Sequence, residues 1–165
     1  VMVGIPGQSY DILARDIAIY RDLDLDMIGV GPYIAHPSTP LGRGEVPELP
    51  ETEQVPHSEL MTYKVLALTR LVRPDANIPA TTALATINTV QGRELGLARG
   101  ANVVMPNLTP TRYRKLYEIY PAKACVGESA EDCSSCLDIR IASIGRRPGK
   151  GPGSRGRTIR TEPTS

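Results

Sequence analysis

One pattern constrains this chain more than any other. A short apolar run, a Gly or Pro that closes it and a capped helix recur four times in series. Val1-Met2-Val3-Gly4-Ile5 reads as a buried strand punctuated by Pro6-Gly7. Ser9 then caps a helix over Tyr10 to Asp22, with Ile12, Leu13, Ile17 and Tyr20 on one face. Met27-Ile28-Gly29-Val30-Gly31 repeats the strand, and Pro32 ends it. A connection rich in Pro, Gly and acids follows from about His36 to His57, a length that marks a functional or mobile segment. Ser58 caps the next helix, Glu59 to Val72, whose Leu60, Ala67, Leu68 and Leu71 share a face. The third unit opens at Asn77-Ile78-Pro79-Ala80-Thr81-Thr82-Ala83, and its helix runs from Arg93 to Arg99 with Gly100 at the C′ position. The fourth opens at Ala101-Asn102-Val103-Val104-Met105 and closes at Pro106. Thr109 caps and Pro110 starts its helix, placing Tyr113, Leu116, Tyr117 and Tyr120 on one amphipathic face.

Alternating strands and helices predict an α/β fold with a parallel sheet, and continuous apolar strands predict burial on both sheet faces. A small doubly wound sheet and part of an eight-fold barrel both fit. In either, chemistry sits at the carboxyl ends of the strands, here Pro6 to Ser9, Pro32 to Pro37, Ala80 to Thr86 and Met105 to Thr109. A fifth helix begins near Ser129 and Asp132, carries Leu137, Ile141 and Ile144 as its stripe, and stops at Gly145. The ordered unit is thus expected over residues 1–145. Residues 146–165, basic and rich in Gly and Pro, are expected as a disordered tail.

Composition narrows the function classes. With 165 residues the chain is large enough for a core, yet it has no Phe and no Trp, so Ile, Leu, Val and Tyr must fill it. A net charge of +1 argues against a dedicated nucleic-acid binder. No apolar run approaches the roughly 18 residues of a membrane span. Three cysteines make a poor disulfide framework and fit a reducing, cytoplasmic compartment. Val1 lies inside an apolar run with no initiator Met, so the chain is expected to be truncated.

Few residues offer chemistry. The Gly4-Ile5-Pro6-Gly7-Gln8 turn lets a ligand approach the backbone closely, but it lacks the third glycine of a dinucleotide fingerprint and the Lys of a phosphate loop. An ordinary strand-to-helix turn explains it as well. Cys125, Cys133 and Cys136 form C-x7-C-x2-C, one thiolate short of a closed four-ligand site; three free thiols are as good a reading. The hydroxyls of Thr81 and Thr82 suit an anion at a strand's carboxyl end, though β-propensity and a helix cap also account for them. Tyr117 and Tyr120 can point hydroxyls into a pocket or simply fill the core.

Taken together, VMVGIPGQS, DLDMIGVGPYIAHPSTPL, NIPATTALATI, GRELGLARGANVVMPNLTP, YRKLYEIYPAKAC and the cysteine array followed by GRRPG resemble the HydE family of radical S-adenosylmethionine enzymes, which mature the [FeFe]-hydrogenase active site. The resemblance runs to about Gly153. It implies the C-terminal half, strands five to eight, of a TIM-type (β/α)8 barrel with a C-terminal helical extension. It further implies reductive cleavage of S-adenosyl-L-methionine (SAM) by a [4Fe-4S] cluster, giving a 5′-deoxyadenosyl radical that acts on a small iron-cysteine-carbonyl-cyanide precursor. The CxxxCxxC that would hold this cluster is absent from the 165 residues, so no catalytic residue is assigned and the chain alone is expected to be inactive. By resemblance, Gly4, Ile5, Pro6, Gly7, Gln8, Met27, Pro32, Ile34 and Tyr117 would contact SAM. Thr81, Thr82, Met105, Asn107 and Tyr120 would contact the substrate. Cys125, Cys133 and Cys136 would hold an auxiliary iron-sulfur cluster. The implied partners are the missing N-terminal half-barrel, other hydrogenase maturation factors and a small organometallic or amino-acid-derived substrate, with no membrane and no specific nucleic acid. A methylornithine synthase-type enzyme of the biotin synthase group and a non-catalytic iron-binding half-barrel module are the alternatives.

Overall fold

A computed structural model describes residues 1–117, 119, 121–124 and 130–155, with side chains described for neither 115 nor 130–134. Four very short strands carry the sheet: β1 (Met2–Val3), β2 (Gly31–Pro32), β3 (Pro79–Ala80) and β4 (Val103–Val104). The pairs are parallel, Met2 with Gly31 and Val3 with Pro32, then Pro79 with Val103 and Ala80 with Val104. Parallel bridges Met27–Asn77 and Val30–Ala80 join the two pairs, so the strands follow one another in chain order. A doubly wound sheet reverses its order part-way; no reversal occurs among the described residues. The fold is mixed α/β.

Helices α1 (Tyr10–Asp22) and α2 (Glu59–Val72) start where serine caps direct them. Ser9 accepts from Ile12 N and Ser58 from Met61 N, each satisfying an amide that the first turn leaves open. Both helices cover the sheet, burying Val3, Ile28, Val30, Val55, Leu66 and Ile78 almost completely.

The facing of α2 differs from expectation. Leu60, Leu68 and Leu71 share a face, but that face points outward, with Leu71 76% exposed. The buried face is Thr62, Val65, Leu66 and Thr69, at i, i+3, i+4 and i+7. Periodicity reveals a stripe without saying which stripe meets the sheet. Thr62 escapes a count of apolar residues, yet its hydroxyl donates to Ser58 O at 3.0 Å, so it packs as Val would.

Beyond β3 two helices stand where one was expected, α3 (Thr82–Ile87) and α4 (Gly92–Ala98). After β4 the helix is only α5 (Thr111–Arg114) followed by a 3-10 turn (Lys115–Tyr117). The expected tyrosine face does not pack: Tyr113, Leu116 and Tyr117 are exposed, while Arg114 is 3% exposed and holds the preceding loop by donating to Asn107 O and Thr109 O. Helix α6 (Ala130–Ser143) lays Leu137 and Ile141 inward and is tied to α4 by the Arg140–Glu94 ion pair.

The stretch expected as a tail makes contacts through residue 155. Arg146 donates to Ala101 O, Asn77 donates to Gly153 O, and Arg155 reaches Asp24 at 3.0 Å, with Asp26 and Asp75 at 3.4 and 3.5 Å. Residues 156–165 lie outside the described residues. None of the described helices is long and apolar enough to cross a membrane.

Candidate functional site

Two of the four strand ends that the sequence singles out, those after β2 and β3, line a cavity of about 490 Å3, within the range of small-ligand pockets. Gly31 and Pro32 bring Tyr33 and Ile34 to it from β2, and Thr81 and Thr82 arrive from the end of β3. Thr81 occupies the N-cap position of α3 with extended backbone, but its side chain makes no capping bond. Its Oγ1 is buried and has no hydrogen-bond partner among the described residues. The oxygen lies close over Gly31, where a Cβ would come within 3.0 Å of it. A buried hydroxyl without a partner is costly, and a ligand carboxylate accepting from it would remove that cost. The Tyr33 hydroxyl, also buried and unpartnered, belongs to a second wall residue. Its ring meets His57 edge-on at 6.2 Å between centroids.

The turn from Gly4 to Gln8 does not line this cavity; Gly4 packs against the backbone of His57. The polar groups of the turn are largely engaged from within the protein. Gly4 N donates to Gln8 Oε1 at 2.7 Å, and Gln8 Nε2 donates to Met2 O at 3.2 Å. Gly7 N donates to Gln54 Oε1 at 2.9 Å, and Gln54 Nε2 donates to Ile5 O at 3.1 Å. Gly4 has φ +83°, and a Cβ there would fall 2.3 Å from His57 N. Glycine is needed at this position so that the end of the long connection can approach the turn. Gly7 shares φ +83° but is open, its nearest neighbour Pro47 O at 3.9 Å.

Other expected site residues scatter. Met27 begins the second strand run beside Asn77, roughly 16 Å of extended chain from Pro32, and it faces the Gly- and Arg-rich stretch 146–154 at the opposite end of the sheet. Met105 is half exposed after β4, Asn107 accepts from Thr109 N through its side chain, and Tyr117 is 61% exposed. None of these three lines the cavity. Cys136 is free and exposed on α6. Tyr120, Cys125 and the side chain of Cys133 lie outside the described residues.

Three supporting residues had no signal in the sequence reading. Gln54 stands in an acidic connection, Tyr33 in a strand end read for its neighbours, and Arg114 in a helix read for its tyrosines.

No family model matches the chain. Over 160 residues, 97% of its length, it is 45% identical to the [FeFe] hydrogenase maturase subunit HydE of Thermotoga maritima. The chain is a relative of HydE. It spans 43% of that protein's length and is similar to its C-terminal part. The HydE resemblance read from the turn, strand and cysteine motifs therefore holds over nearly the whole chain. The strand ends gathered around Thr81 and the Gln54-bound turn are the parts of this HydE-like region with defined geometry.

Proposed function

We propose that the chain is the substrate-side portion of a HydE-type radical SAM maturase, with its four strands forming half of a TIM-type barrel. The observation that carries this reading is the 45% identity over 97% of the chain. The strictly sequential parallel order of β1 to β4 supports the barrel arc, since a barrel strand pairs with its chain neighbours.

The residues present fit the ligands this implies. Thr81 offers a buried, unpartnered hydroxyl to a substrate carboxylate, with Thr82 beside it. Pro32 and Ile34 present apolar surface to the cavity, and the Gly4–Gln8 turn and Met27, outside its lining, would be further SAM contacts. Met105, Asn107 and Tyr120 would contact the substrate and Tyr117 would contact SAM. Bound SAM and a [4Fe-4S] cluster together supply reductive cleavage to a 5′-deoxyadenosyl radical. The cluster's ligands would come from outside these 165 residues, which contain no CxxxCxxC. The chain's own residues orient the substrate and keep the cavity dry. The substrate is a small iron-cysteine-carbonyl-cyanide precursor, and other hydrogenase maturation factors are the partners. Cys125, Cys133 and Cys136 would hold an auxiliary cluster away from the cavity.

The test uses the longer protein that carries this sequence together with a CxxxCxxC region, reconstituted and reduced without oxygen. Release of 5′-deoxyadenosine and methionine, with modification of the iron precursor, is expected. Methylornithine as product would instead place the protein with methylornithine synthase, and absence of SAM cleavage would favour a non-catalytic iron-binding module.

A further inference from the structure

Near the end of the long connection between β2 and α2, the Gln54 side chain ties the connection to the Gly4–Gln8 turn. The Gln54 carboxamide has two acceptor sites and two donor hydrogens. Its Oε1 accepts from Gly7 N at 2.9 Å and Leu49 N at 3.3 Å. Its Nε2 donates to Ile5 O at 3.1 Å and Val55 O at 2.9 Å. The orientation of the amide is fixed by these partners, because a flip would set donor against donor and acceptor against acceptor in all four contacts. The backbone bridges to the same place: Gln54 pairs with Ser9, and Val55 N donates to Gln8 O at 2.9 Å. Val55, one residue on, is wholly buried in the core, which anchors the carboxamide from behind.

No other residue of the connection bonds both a donor and an acceptor of the turn. Gly7 is free of close neighbours; its left-handed conformation belongs to the Pro6-Gly7 turn, which Gln8 N closes by donating to Ile5 O at 2.9 Å, and Gln54 braces that turn from the side. Without Gln54, Gly7 N loses its partner and Ile5 O keeps only Gln8 N, so one bond instead of three restrains the backbone of residues 5–7.

We infer that Gln54 is a positioning residue for SAM: it presets the backbone of Ile5 to Gly7, against which the nucleoside lies. This rests on the reading that the turn contacts SAM. Gln54 itself touches no ligand and acts through the turn. A preset turn lowers the ordering cost of binding without altering the reacting atoms, so affinity changes while chemistry at saturation does not.

The test uses the same longer, cluster-containing protein with Gln54→Glu and Gln54→Leu. Glu keeps both acceptor contacts but loses both donors and turns a carboxylate oxygen toward Ile5 O; Leu removes all four contacts at similar volume. Equilibrium dialysis with SAM is expected to show about tenfold weaker binding in each, the scale of one ordinary hydrogen bond. The turnover rate at saturating SAM should stay within about twofold of wild type, and circular dichroism should show retained folding. Wild-type affinity in a folded variant would overturn the inference, as would failure of both variants to fold, which would make Gln54 purely structural. A photoreactive azidoadenosyl analogue of SAM separates this from the underlying reading. Labelling of residues 4–8 in the wild type, with unchanged affinity in the variants, would sink the role of Gln54 alone. Wild-type labelling elsewhere would sink the reading of the turn, and the inference with it.

Discussion

The two ends of the sheet are secured by different chemistry. At the carboxyl ends of the strands, a neutral carboxamide, Gln54, braces the turn before α1 with two hydrogen bonds and holds its own connection with two more. At the opposite end the security is ionic. Asp24 lies between Arg155 and Arg73, at 3.0 and 2.6 Å, and Asp26 and Asp75 add charge beside Arg155. The hydrogen bonds and charge of Arg155 and Arg73 hold the Asp24 carboxyl well below the usual carboxylate range. The difference teaches where adjustability lies. The carboxamide is indifferent to pH and salt and leaves Thr81 and Tyr33 with unpartnered hydroxyls to offer. The ionic end is screened by salt and weakened by acid, and leaves little chemistry unspent.

The largest effect should come from the two glycines of the turn, which share φ +83° and differ only in space. Gly4→Ala meets both the left-handed penalty and the His57 backbone, and should lose about 3 kcal/mol of stability in urea unfolding. Gly7→Ala meets the backbone penalty alone, about 1 kcal/mol. Equal losses would mean that His57 does not clamp the turn.

Next is Thr81→Val, which removes a hydroxyl without a protein partner. Stability should hold within about 0.5 kcal/mol, while KM for a carboxylate-bearing substrate rises about tenfold. A stability loss with unchanged KM would assign Thr81 to the scaffold.

Smaller still is the acid response of the ionic end. The folded pKa of Asp24 lies below its unfolded value, so its contribution is complete above the ordinary carboxylate pKa of about 4 and is lost as pH falls below it. Unfolding of Asp24→Asn should therefore lose less stability than wild type between neutral pH and acid, and about 1 M salt should narrow the gap. A gap that grows with salt would contradict an ionic clamp.

The smallest signal comes from Tyr20, buried on α1. Burial, with Asp16 adding to it, pushes the Tyr20 hydroxyl up to about 12. The unfolded chain then loses this proton near pH 10 while the folded chain keeps it, so stability falls between pH 10 and 12. Ultraviolet titration of Tyr20→Phe against wild type should remove one late-ionising tyrosine; normal ionisation in the folded protein would show the ring to be accessible.

Local rules made the bounds of α1 and α2 legible, because Ser9 and Ser58 each cap a helix within three residues. Rules of facing failed on α2, where Thr62, Val65, Leu66 and Thr69 meet the sheet and Leu60, Leu68 and Leu71 do not. At Thr81 the helix-cap reading holds by position, since Thr81 is the N-cap of α3, although its side chain makes no capping bond. The cavity was legible as strand ends for Pro32, Ile34, Thr81 and Thr82. Met27 was carried by resemblance, although a residue that begins a parallel strand belongs to the opposite end. Gln54 left no trace, since its turn partners lie 47 and 49 residues away in sequence. Pairing across such a distance is a property of the folded chain.

Hydrogen exchange with and without SAM, in the longer reconstituted protein, tests most directly the claim that ligand chemistry belongs to one end of the sheet. Protection is expected in residues 4–8 and 32–34, with no change around Asn77 and residues 146–155. Protection confined to Asn77 and 146–155 would contradict the account.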